Sequence, residues 1–164
     1  MRLKQLLEQA TEQSDITVAV AAAHDLEVLE AVVNAVELNM ANFILFGDKE
    51  KIINMLHTVS SNGAKYGAIK IVHSPSLEDA AKSAVEAVHN AEASLLMKGN
   101  VPTATIFKTV LNNEYGLRTN NVLSHVAAFE IPGYDRLIFV TDAAMNIAPD
   151  LMQKAQMMEM KKQS

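Results

Sequence analysis

Apolar residues fall along this chain in two alternating rhythms, short unbroken runs and longer stretches with helical spacing. Residues 2–13 put Leu3, Leu6, Leu7 and Ala10 on one face and predict a helix, broken at Ser14-Asp15. Ile16–Ala21 is a short, nearly continuous apolar run that predicts a strand. Residues 25–39 return to helical spacing, with Leu26, Leu29, Val32, Val33 and Val36 as the stripe to be buried. Phe43–Phe46 is a second strand, stopped by Gly47, and Asp48 is a good N-cap for a helix to about residue 58. After Asn62-Gly63 and Gly67 come a third strand, Ile69–Val72, and a helix to about residue 90. Ser76 and Asp79 open that helix as a capping box, and its inward face is Leu77, Ala80, Ala81, Ala84, Val85 and Val88. Ser94–Met97 is a fourth strand, and Pro102 starts a helix to about residue 113.

Short apolar strands between amphipathic helices are the signature of a parallel sheet covered on both faces. The fold class is therefore α/β, a three-layer α/β/α, doubly wound, mainly parallel sheet. The rhythm changes after residue 120. Val122–Ile131 and Arg136–Thr141 read as two strands joined by Pro132-Gly133-Tyr134-Asp135, a connector short enough for an antiparallel hairpin. A last helix is expected from Asp150 to about Met160, with Leu151, Met152, Ala155, Met157 and Met158. The expected division is an N-terminal domain over 1–120, then 121–164 as the start of a second.

Composition narrows the function. The 164 residues are 49% hydrophobic and 20% charged, the balance of a globular protein with a real core. There is no cysteine, which excludes a thiol nucleophile and a Cys-based zinc site and fits a reducing cytoplasm. No apolar run approaches the length of a membrane span, and Met1–Leu6 leads into no signal-peptide core. Net charge is −5, with acids and bases interspersed, so no nucleic-acid partner is expected. An anionic substrate would have to be held by local groups such as helix N-termini and a few cations.

Three stretches carry candidate chemistry. In Leu96-Met97-Lys98-Gly99-Asn100-Val101-Pro102-Thr103 a strand ends, a glycine turns the backbone closely, and a helix begins beside a lysine. That is either an anion cradle or an ordinary strand–turn–helix junction. Lys108 lies five residues after Thr103 and shares the site only if its side chain bends back. In Asn120–Val126, Ser124 and His125 are neighbours, so on a strand they face opposite ways and cannot pair as nucleophile and base. In Val140–Pro149, Asp142 ends a strand, where it caps a turn or meets a ligand. His24 follows the first strand, placed either over a cleft or as a helix cap. His57, His73 and His89 have no metal-ligand spacing, and no GxGxxG, Walker or GxSxG motif occurs.

These stretches, in this order, resemble the phosphate acetyltransferase and butyryltransferase family. The motifs are Met97-Lys98-Gly99 with Thr103 and Thr105, Asn121–Val126, and Thr141–Pro149, while Pro132–Arg136 resembles the butyryl branch. The resemblance runs from about residue 16 to 156. It implies two α/β domains around a cleft, similar to isocitrate dehydrogenase, and exchange of an acyl-CoA and phosphate for an acyl phosphate and CoA. Coenzyme A is then substrate or product, with no tightly bound cofactor and no metal. It also implies that Lys98, Gly99, Thr103 and Lys108 lie near the phosphate, and that Ser124, His125 and Asp142 face the cleft. Acetyltransferase relatives carry an arginine near the position of Lys108; lysine keeps the charge without the bidentate grip.

Family members continue beyond this length, which implies that the catalytic residues, unknown here, lie in a C-terminal half this chain does not carry. A truncated, non-catalytic phosphate- or partner-binding module is thus one alternative. An isocitrate dehydrogenase-like oxidoreductase is another, and it lacks its acid-rich metal site. The methionine-bearing last helix and the hairpin edge lead to an expectation of self-association through residues 122–160, hence a homo-oligomer.

Overall fold

The computed structural model describes residues 3–11, 16–60, 66–119, 123–141 and 150–159. It divides into two compact units, Ala10–Arg118 and a second made of Met1–Gln9 with Thr119–Ser164.

The larger unit is built on four strands, β1 (Thr17–Ala21), β2 (Asn42–Gly47), β3 (Ile69–His73) and β4 (Leu95–Lys98). They form one sheet in the order β3-β2-β1-β4, every pair parallel. Helices α2 (Leu26–Glu37), α3 (Lys49–Val59), α4 (Leu77–His89) and α5 (Thr103–Val110) connect and follow them, after a first helix α1 (Leu3–Thr11).

The period-two alternation of strand side chains explains how both faces are covered. Val18 and Val20 of β1, with Phe43 and Leu45 of β2, meet Leu29, Val32, Val33 and Val36 of α2 and Ile52 and Leu56 of α3. Ala19, Ala21, Ile44 and Phe46 face the other way, onto Ala80, Ala81, Ala84 and Val85 of α4 and Ile106 of α5. Alanines on both sides of that second interface let α4 lie close to β1. Leu45 is fully buried, and burying a leucine contributes roughly 2 kcal/mol.

Three helix starts of the larger unit are closed by side chains. Asp25 accepts from Val28 N–H at 3.2 Å, Asp48 from Lys51 N–H at 3.2 Å, and the Ser76 hydroxyl from Asp79 N–H at 3.0 Å. The Lys51 N–H, with the Lys51 ammonium beside it, holds the Asp48 carboxyl below its ordinary value.

Several boundaries differ from those expected. The fourth strand runs one residue further, so Lys98 belongs to it, paired with Ala21. Helix α5 stops at Val110 rather than near 113 because Asn112 turns the chain: its side-chain Oδ1 accepts from Glu114 N–H at 2.8 Å, and Leu117 N–H returns to Val110 O at 2.8 Å. The stripe expected on the first helix is not buried, for no residue of α1 is buried and Leu7 is 51% exposed.

In the smaller unit, β5 (Val126–Phe129) and β6 (Ile138–Thr141) pair antiparallel, with Val126 opposite Thr141. These strands are shorter than the expected Val122–Ile131 and Arg136–Thr141. A helix α6 (Leu151–Glu159) follows, with Leu151 and Met152 exposed. The expected residues Ser14-Asp15, Asn62-Gly63, Asn120–Val122, Asp142–Pro149 and Met160 lie outside the described residues.

Candidate functional site

Strand order places a topological switch at the centre of the sheet. The chain steps outward from β1 to β2 to β3, then crosses back to lay β4 on the other side of β1. In open parallel sheets the crevice beyond the carboxyl ends of two such strands is the usual ligand position. The segments leaving β1 and β4 here are Ala22–Asp25 and Gly99–Pro102.

They are bound tightly together. Gly99 N–H donates to Ala21 O and Asn100 N–H to Ala22 O, each at 2.9 Å. A Cβ on Gly99 would stand 2.4 Å from the Ala22 oxygen and 2.6 Å from that of Ala21, so only glycine lets β4 turn here. Val101, buried behind the turn, anchors it to the α4 side of the core.

Helix α5 then begins at Thr103 with no side-chain cap, unlike α2, α3 and α4. Its N-cap is Pro102, which has no N–H and no hydrogen-bonding side chain. The first intrahelical bond is Ile106 N–H to Pro102 O, at 3.2 Å. The first-turn N–H groups of Thr103, Ala104 and Thr105, at the positive end of the helix dipole, are therefore left without a capping acceptor.

The Lys98 ammonium stands at the edge of this turn, exposed, 3.4 Å from Gly99 O. Thr103 is exposed as well. One charge, one close-lying backbone and three N–H groups suit a small anion, which needs donors and no competing carboxylate. Lys98, Gly99 and Thr103 are thus within one turn of chain. Lys108 is not part of that turn: it is exposed in the last turn of α5, at the opposite end of the helix.

In the smaller unit Ser124 and His125 precede β5 rather than lying on it. Ser124 is partly buried and His125 exposed. The hydroxyls of Ser124 and Thr141, at the same end of the hairpin, are both buried without a hydrogen-bond partner. Asp142 lies outside the described residues.

Of the two positions left open for His24, the helix cap is taken by its neighbour. Asp25, not His24, caps α2, which leaves the imidazole free for another role. The pairing of a strong capping residue next to His24 was the available signal. Of the other histidines, His73 Nδ1 accepts from Lys49 N–H at 3.4 Å, and His89 Nδ1 lies 2.9 Å from Gly116 O. Among the described residues no cluster of His, Cys, Asp or Glu could hold a metal, and no helix is long and apolar enough to cross a membrane.

Comparison with known proteins gives one consistent answer. The family model described as phosphate acetyl/butaryl transferase matches residues 54–164. A probable phosphate butyryltransferase of Bacillus subtilis (strain 168) is 48% identical over 159 residues, covering 97% of this chain and 52% of the relative. A phosphate butyryltransferase of Clostridium beijerinckii is 42% identical, covering 93% and 50%. A phosphate acetyltransferase of Thermotoga maritima is 36% identical, covering 97% and 52%. Among solved structures, a branched-chain phosphotransacylase from Enterococcus faecalis V583 superposes with a TM-score of 0.69 at 31% identity, over 88% of this chain and 49% of that one. The chain spans about half the length of the curated relatives it matches.

Proposed function

Since the chain belongs to the phosphate acetyl/butaryl transferase family, we propose that it is the phosphate-holding part of an enzyme that converts an acyl-CoA and phosphate into an acyl phosphate and CoA, and back. The observation that carries this reading is the uncapped start of α5 at the switch point, beside a glycine that brings the backbone close. Phosphate binds the first-turn N–H groups from Thr103, with the Thr103 hydroxyl and Lys98 ammonium adding donors and Gly99 making room. Lys108 is an outer cation that raises the local potential.

Catalysis by such a site is mainly alignment. The bound phosphate oxygen is held against the thioester carbonyl, so that an encounter of two anions becomes a reaction within one complex. Ser124, His125 and Asp142 are the substrate-facing residues of the smaller unit in this reading. Butyryl is preferred over acetyl, because the butyryltransferases share 48% and 42% of aligned residues against 36% for the acetyltransferase. A cytoplasmic homo-oligomer with no tightly bound cofactor completes the reading.

Two measurements test it. Adding inorganic phosphate to the 15N-labelled chain should shift the amides of Gly99, Thr103 and Ala104 before any others. The protein as its gene encodes it should release CoA from butyryl-CoA only when phosphate is present. Largest shifts elsewhere would remove the cradle, and phosphate-independent release would remove the reaction.

A further inference from the structure

Lys98 is the last residue of β4, and its side chain lies on the side of the sheet where α5 packs. Strand alternation puts it on the same face as Leu96, two residues before, and Leu96 packs against the core cluster that holds Ile106 of α5. The ammonium is drawn down onto the turn. Gly99 O accepts both from Lys98 Nζ, at 3.4 Å, and from Val101 N–H, at 2.9 Å. Val101 stands two residues before Thr103, so the amine sits beside the short segment that enters α5.

Its charge is not taken up by an acid. Lys4, Lys51 and Lys82 pair with Glu8, Asp48 and Glu86, whereas Lys98 has no carboxylate partner among the described residues. A lysine so placed attracts an anion while it is charged, and in its neutral form it is a nucleophile. The acyl phosphate of the reaction proposed above is a mixed anhydride. Its electrophilic carbon is one bridging oxygen away from phosphorus, so an amine that contacts the phosphate is already beside that carbon.

We propose that Lys98 is a self-acylation site: acyl phosphate held at Gly99 and Thr103 passes its acyl group to Lys98 Nζ, which weakens the site's hold on phosphate. This rests on the phosphate reading above. The lone pair of the neutral amine attacks the carbonyl carbon, an N–C bond forms, and the C–O bond to phosphate breaks. Phosphate leaves with that bond pair and takes up the proton lost by nitrogen, so amine and acyl phosphate become amide and hydrogen phosphate. The amide is uncharged and no longer draws an anion to the turn. Accumulated acyl phosphate thus turns down the site that binds it.

Incubation of the 164-residue chain with butyryl phosphate, followed by peptide mass spectrometry, tests this lysine by lysine. Lys98 should be butyrylated about tenfold faster than Lys49 and Lys70, a small part of what delivery from a bound donor can give. Those two are also exposed and lack an acidic partner among the described residues. Inorganic phosphate should slow Lys98 and leave the other two unchanged. Butyric anhydride, an acyl donor without phosphate, should show no preference. The butyrylated chain should bind phosphate about threefold more weakly, read at the Thr103 amide, as expected for one exposed charge lost. Lys98→Arg, which keeps the charge and resists acylation, should bind phosphate equally before and after treatment. Uniform labelling by butyryl phosphate, no protection by phosphate, or the same preference with the anhydride would overturn self-acylation, while phosphate-dependent shifts at Gly99 and Thr103 would still support the cradle. Absence of those shifts would overturn the cradle, and self-acylation with it.

Discussion

Gly99 approaches Ala22 so closely that a methyl group on it would stand 2.4 Å from the Ala22 carbonyl oxygen. Both ends of the switch point are held by this contact, because Asn100 N–H bonds the same oxygen. Gly99→Ala gains a few tenths to about 1 kcal/mol by stiffening the unfolded chain. It loses about 1–3 kcal/mol to overpacking against backbone that cannot move aside. The clash wins. Urea unfolding should show net destabilisation, and phosphate should no longer shift the Thr103 amide.

The two lysines proposed for the phosphate should behave differently. Helix geometry sets Lys108 roughly 7 Å further along the α5 axis than Thr103 and on another face. Lys98→Ala should weaken phosphate binding about threefold, as expected of one exposed charge, and Lys108→Ala less than about 1.5-fold. Titrations at two salt concentrations would check this, since the Lys98 effect should shrink as salt rises.

Asp48 gives the fold a defined acid sensitivity. Its folded carboxyl titrates below the unfolded one because ionised oxygen accepts the Lys51 N–H, with the ammonium nearby. Its stabilisation is therefore complete above the unfolded carboxylate value of about 3.9 and is lost as pH falls through the lower folded value. The stability difference between wild type and Asp48→Ala, followed by urea unfolding, should be flat from about pH 7 to 5 and narrow toward pH 3. Asp48→Asn, which caps without ionising, should not show the narrowing.

Ala84 tests the close packing of α4. It is fully buried, in the same core cluster as Ala19 and Ala21 of β1. Ala84→Leu should cost about 1–3 kcal/mol, and Ser76→Ala at the start of the same helix about 1 kcal/mol. Chemical denaturation of the two single variants and the double should show near-additive losses, since cap and core share no partner.

The parallel sheet was legible because its two central strands, β1 and β2, are apolar at nearly every position after the first, a pattern that burial on both faces sustains, whereas the edge strands β3 and β4 carry Lys70, His73 and Lys98. The capping residues Asp48 and Ser76 were legible for the local reason that their side chains reach N–H groups three residues on. The hairpin was overextended because a strand-like run from Val122 to Ile131 does not say where pairing stops. The cradle's residues could be named, but strand order could not, and it is strand order that sets Gly99 beside Ala22.

The order of strands also bears on how the chain is made. Synthesis delivers β1, α2 and β2 early, and they can close on each other as soon as Gly47 has emerged. The second partner of β1 is β4, which pairs Leu95 with Val18 and must wait for all of α3, β3 and α4. Through that interval the edge of β1 is unpaired and apolar, the kind of edge to which nascent chains stick. Docking of β4 seals that edge and in the same motion sets Gly99 beside Ala22, so the proposed anion cradle is among the last features to form. We expect phosphate in the cell to favour the finished state over the half-made one, and ribosome-bound chains of increasing length should gain phosphate-dependent protease resistance only once α5 is free of the exit tunnel.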